Sequence, residues 1–135
     1  MKDAAANPAE TARLIAEAPD GFELYSGDDA LTLPFLSVGA VGIIGVATHW
    51  VAREMGELIA AFTKGDVERA AEINAMLIES YDYETSDDTP NPIPTKALLR
   101  AIGQPAGPCR LPHPPAPDGL EARALEVLRK LGRPV

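Results

Sequence analysis

Phe22-Glu23-Leu24-Tyr25-Ser26-Gly27-Asp28-Asp29 passes from a short alternating apolar segment into an acidic turn, and an apolar run follows it at once. The order reads as strand, turn, helix: a strand over 22–25, and Asp28 or Asp29 capping a helix over about 29–38. Val41-Gly42-Ile43-Ile44-Gly45-Val46 comes next, apolar on both faces and rich in β-branched residues, as in a strand buried between two layers of helices. Two strands separated by a helix imply a parallel sheet.

Working outward from this unit, Asn7-Pro8-Ala9-Glu10 is a helix start, with Asn7 as cap, Pro8 at the first helical position and Glu10 reaching back. That helix spans about 8–18, with Ala12, Leu14, Ile15 and Ala18 as its apolar stripe, and Pro19-Asp20-Gly21 ends it. After the second strand come four helices. One covers about 49–63, carries Val51, Met55, Leu58, Ile59 and Phe62, and stops at Lys64-Gly65. Another covers about 67–81, with Val67, Ala70, Ala71, Ile73, Leu77, Ile78 and Tyr81 as its stripe. A polar loop over 82–92, a helix over 94–102, a Pro- and Gly-rich crossing over 104–117 and a helix over 118–131 complete the order. A further strand is expected just ahead of Met1, because two parallel strands leave open edges. A (β/α)₈ barrel takes about 250 residues, so these elements fit the last part of one plus a helical extension.

The chain has 135 residues, with 12 basic and 20 acidic side chains and a net charge of −8. That balance argues against a nucleic-acid partner, whose phosphates are bound chiefly by Lys and Arg. Residues 30–52 contain no Asp, Glu, Lys or Arg, the length of a membrane span, but Pro34, Gly39, Gly42 and Gly45 interrupt them and no membrane partner is expected. Cys109 is the single cysteine, which excludes an internal disulfide and a cysteine-based zinc site; a reducing cytoplasm fits. No metal is expected. His49 and His113 share no ligand spacing, and Asp82, Glu84, Asp87 and Asp88 lack the glycine-hinged spacing of a calcium loop. From the residues alone, Lys2 is a solvated charge near an N-terminus, and Asp28 and Asp29 are caps at the strand edge where barrel active sites lie.

Met1-Lys2-Asp3-Ala4, Ser26-Gly27-Asp28-Asp29, Gly42-Ile43-Ile44-Gly45-Val46 and Asn91-Pro92-Ile93-Pro94-Thr95-Lys96 occur in that order along the chain. Together they resemble the dihydrodipicolinate synthase family, over the whole of this chain and only the C-terminal portion of the family's. The resemblance implies an α/β chain forming strands six to eight of a TIM barrel over 1–64, followed by a helical C-terminal extension over 65–135. It implies a lyase, a class I aldolase that condenses pyruvate with aspartate semialdehyde to 4-hydroxy-tetrahydrodipicolinate, on the way to diaminopimelate and lysine. No cofactor is implied, since the chemistry runs through a Schiff base between lysine and pyruvate.

By that resemblance Lys2 is the Schiff-base lysine, made nucleophilic by desolvation inside a barrel. Gly27 lines the pocket, with Asp28 beside it. Ile44 offers its backbone carbonyl to the keto acid, and Asn91 faces the site from the helical extension. Gly45 departs from the serine common in the family, which would loosen the pocket wall. The family's carboxylate-binding threonine, relay tyrosines and second-substrate arginine fall outside the match, so the expectation is a truncated chain, inactive alone, with a homo-oligomer or a complementing N-terminal half as partner. Two other readings follow: a related pyruvate-dependent lyase acting on sialic acid or keto-sugar acids, and a non-catalytic fragment active only in assembly.

Overall fold

The computed structural model describes residues 1–134. Three two-residue strands, β1 (Lys2–Asp3), β2 (Tyr25–Ser26) and β3 (Gly42–Ile43), form a parallel sheet in sequence order. Helices α1 (Pro8–Glu17) and α2 (Thr32–Ser37) connect them, and α3 (Thr48–Thr63), α4 (Val67–Glu84), α5 (Ile93–Ala101) and α6 (Leu120–Lys130) follow. The register aligns Lys2 with Tyr25 and Tyr25 with Gly42, then Asp3 with Ser26 and Ser26 with Ile43. Backbone contacts divide the chain into Met1–Ala75 and a second unit from Met76 onward, a division inside α4, whereas the sequence reading put the domain limit at 64/65.

In the first unit a third strand lies at Lys2–Asp3, paired with β2. The Tyr25 N–H donates to the Met1 carbonyl at 2.8 Å, and the Gly27 N–H to the Asp3 carbonyl at 2.7 Å. The strand expected over 22–25 shifts toward Tyr25–Ser26, because the Phe22 N–H closes a turn on the Pro19 carbonyl and leaves that ring exposed. Leu24 turns inward instead and packs with Phe35 and Ala40, flanked by Ile15 and Leu31. Asn7 caps α1 as expected, its side chain accepting the Glu10 N–H at 3.3 Å. The buried residue of that helix is Thr11, while Leu14 is exposed. On α3 the expected stripe buries Val51, Met55 and Leu58. Gly65 ends α3 with a left-handed φ of 83°, which lets its N–H reach the Phe62 carbonyl and the Asp66 N–H reach that of Ala61.

In the second unit α5 and α6 pack against one another. The polar loop expected from residue 82 begins later, because α4 continues to Glu84 and carries Tyr83 into the interior at 1% exposure. The Tyr83 hydroxyl donates to the Pro94 carbonyl at 3.1 Å and to the Leu120 carbonyl at 3.3 Å, so one side chain links α4 to both α5 and α6. Val67 and Ile78, expected on the buried stripe of α4, are exposed, whereas Ala70, Ile73, Leu77 and Tyr81 are buried.

Burial pushes the Tyr83 phenol up to about 12, opposed in part by the Arg123 charge nearby. The folded state therefore favours the neutral phenol: this contribution is complete below pH 10, where an unfolded tyrosine is still protonated, and is lost as pH rises from 10 through 12. Tyr83→Phe is expected to lower stability by about 1–2 kcal/mol at neutral pH. Urea denaturation across pH 8–12 checks this, since the gap from the parent chain should narrow above pH 10.

Candidate active site

The C-terminal edge of the sheet gathers four of the five residues singled out from sequence. Lys2 lies on β1, and its stem crosses the turn that follows β2. A Cβ placed on Gly27 would stand 2.6 Å from Lys2 Cε and 2.9 Å from both Ala4 Cβ and the Asp3 carbonyl oxygen. Glycine at this position therefore makes room for the lysine itself, a reason for Gly27 that the sequence did not disclose. Lys2 is exposed among the described residues, so the burial expected to make it nucleophilic is not provided by this chain's own side chains.

The residue beside it, Asp3, anchors the strand. Its carboxylate accepts the Ala5 N–H at 2.9 Å and the Thr11 hydroxyl at 2.5 Å, tying β1 to α1. The Thr11 hydroxyl and then the Ala5 N–H hold the Asp3 carboxyl below the usual aspartate range. A depressed carboxyl stabilises the fold above its unfolded pKa, and that contribution fades as pH falls through the lower folded value.

Asp28 and Asp29 differ in their partners. Neither is the cap of α2, whose cap position is Leu31 and carries no side-chain hydrogen bond; Asp28 holds the turn ahead of it, its Oδ1 accepting the Leu31 N–H at 3.1 Å and its backbone carbonyl the Ser26 hydroxyl at 2.7 Å. Asp29 is 0% exposed. Its Oδ2 accepts the Val46 N–H at 2.7 Å and its Oδ1 the Ala47 N–H at 3.1 Å, just ahead of α3. Helix α2 begins at Thr32 and not near 29. A side chain on Gly45 would overlap both Asp29 carboxylate oxygens and stand 2.6 Å from Ile43 Cδ1. The expectation of a loosened wall at Gly45 is thus corrected: the Asp29 carboxylate fills that space.

Ile44 is 49% exposed beyond the end of β3, where its N–H donates to the Ser26 carbonyl at 2.8 Å. Asn91 belongs to the second unit. Its side-chain oxygen accepts the Thr95 hydroxyl at 3.0 Å across the start of α5, and the Asn91–Pro92 peptide is cis. Asp3 and the bridging role of Asp29 are the residues that sequence reading missed; Asp29 bonds partners 17 and 18 residues away, with no local pattern to betray it.

Replacing Asp29 by Asn keeps the shape but removes the charge and one acceptor, leaving an amide N–H₂ facing a backbone N–H. The expected cost is about 2 kcal/mol, in the range for hydrogen bonds to a charged group. Thermal or urea unfolding checks it, with faster amide exchange at Val46 and Ala47 as the local sign.

The sequence profile of the dihydrodipicolinate synthetase family matches residues 1–129. The 4-hydroxy-tetrahydrodipicolinate synthase of Listeria monocytogenes is 46% identical over 112 residues, 83% of this chain and 38% of that protein. The synthase of Symbiobacterium thermophilum is 44% identical over 127 residues, 94% of this chain and 43% of its own. Among solved structures, dihydrodipicolinate synthase from Aquifex aeolicus superposes with a TM-score of 0.87 at 33% identity, covering 99% of this chain and 45% of that one. The enzyme from Cyanidioschyzon merolae, solved with lysine bound, gives 0.89 at 36% identity, covering 97% and 44%. The chain thus spans less than half the length of these relatives. With the family profile matching nearly its whole length, the chain belongs to the dihydrodipicolinate synthetase family.

Proposed function

We propose that this chain is the C-terminal part of a (β/α)₈ barrel, about strands six to eight, with the helical extension that follows it. Its function is to carry the Schiff-base lysine of a class I aldolase that condenses pyruvate with aspartate semialdehyde to 4-hydroxy-tetrahydrodipicolinate, in lysine and diaminopimelate biosynthesis. The placement rests on the order of elements: three parallel strands in sequence order, then four helices and no further strand among the described residues. The chemistry rests above all on the contact between Lys2 and Gly27, which sets an amine at the C-terminal edge of a parallel sheet, where barrel enzymes place their reacting groups.

In this reading the Lys2 Nζ attacks the keto carbon of pyruvate and water leaves, giving an iminium. The iminium draws electrons from the adjacent methyl group, which loses a proton and attacks the aldehyde carbon; hydrolysis then frees the lysine. Gly27 keeps the path of Lys2 open, Asp28 fixes the turn beside it, and Ile44 contacts the keto acid. No further cofactor takes part. A lysine must be withdrawn from water to be a neutral nucleophile at physiological pH, and Lys2 is exposed here. The chain alone is therefore proposed to be inactive and to act with the rest of a barrel around it, in the cytoplasm and as part of an oligomer.

Borohydride trapping with pyruvate, read by intact mass and peptide mapping, tests this on the chain alone and mixed with the part of a relative that this chain does not cover. One reduced pyruvyl group on Lys2 in the mixture, lost in Lys2→Arg, is the expected result. Labelling on the other lysines alone, or none in a folded mixture, would overturn the assignment of Lys2.

A further inference from the structure

Helix α5 and the proline-rich segment after it border an open groove of about 540 Å³ that the proposed aldol chemistry does not use. Lys96, Pro108, Cys109, Arg110, Leu111 and His113 are among its lining residues, and no carboxylate lines it. Lys96 donates one ammonium hydrogen to the Pro108 carbonyl at 3.0 Å, which fixes the cation at the groove wall with two donors left over. Arg53, Arg69, Arg100 and Lys130 each pair with a glutamate, whereas among the described residues neither Lys96 nor Arg110 has an acidic partner. Two cations without an acidic partner and a histidine thus line one concavity of a chain whose net charge is −8. A bound anion would meet a wall that carries cationic and neutral side chains only.

We propose that this groove binds a small molecule carrying two negative charges, either two carboxylates or a phosphate group. Lys96 meets one charge as a compact ammonium, and Arg110 meets the other with a planar fork that suits two oxygens at once. His113 adds a ring nitrogen to the wall. Leu111, 92% exposed at the rim, faces whatever apolar part the ligand carries. The proposal stands or falls independently of the aldolase reading.

Cys109 supplies the test, because it is the single cysteine, is half-buried and lines the groove. Its alkylation by iodoacetamide is measured at constant ionic strength while succinate is titrated in one series and inorganic pyrophosphate in another. Amide NMR shifts of residues 109–113 are followed in the same samples. A saturable, several-fold slowing or saturable shifts with either anion, lost in Lys96→Gln/Arg110→Gln, is the expected result. Succinate alone would identify a dicarboxylate site, and pyrophosphate alone a phosphate site. The proposal fails if chloride at matched ionic strength has the same effect, if the folded double variant responds like the parent chain, or if neither readout changes.

Discussion

A buried carboxylate ordinarily costs several kcal/mol unless it finds donors, and Asp29 finds them on the far side of the sheet edge. Its two oxygens take the N–H groups of Val46 and Ala47 at the entry to α3, where unpaired backbone donors and the helix dipole favour a negative charge. One side chain thus joins the loop after β2 to the loop after β3. Since Lys2 rests on the first of these loops and Ile44 lies on the second, the geometry of the candidate site depends on this bridge. It also dictates what stands at position 45, where any Cβ would intrude on the carboxylate.

The second unit has its own organising group. Tyr83 divides one hydroxyl hydrogen between carbonyls on α5 and α6, and Arg123 lies over its ring at 5.8 Å from the centroid. Arg123 thereby offers a positive charge to the ring face while its own neighbourhood stays polar. The Arg100–Glu121 pair at 2.9 Å and the Lys130–Glu79 pair at 2.6 Å sit on the surface around this core, where ion pairs contribute little to stability. The phenol and the apolar residues of α5 and α6 carry the packing.

What was legible in the sequence was what acts over short range. The Asn7 cap and the Gly65 stop work within four residues, and the stripe of α3 repeats often enough to reveal its buried face. β1 could not be read, because two residues carry no periodicity and Lys2–Asp3 becomes a strand only by pairing with Tyr25–Ser26. Tyr83 was hidden by Asp82 and Glu84 on either side, and one of its partners lies 37 residues on. Asp28 and Asp29 look alike as potential caps, and only the folded chain distinguishes the local turn contact of the one from the long-range bridge of the other. At the candidate site, Lys2 stands out in the sequence solely through family likeness, and the reason for Gly27 is visible only in the folded chain.

The approach of Lys2 to Gly27 makes these two positions a single thermodynamic unit. Adding a methyl group at position 27 places it against the methylene next to the amine, so the penalty depends on what side chain residue 2 carries. Shortening residue 2 would relieve part of that penalty, although the Asp3 carbonyl and Ala4 would still resist the new carbon. Energies measured separately at positions 2 and 27 will therefore fail to add, and their interaction term, rather than either single effect, measures how firmly the backbone aims the amine.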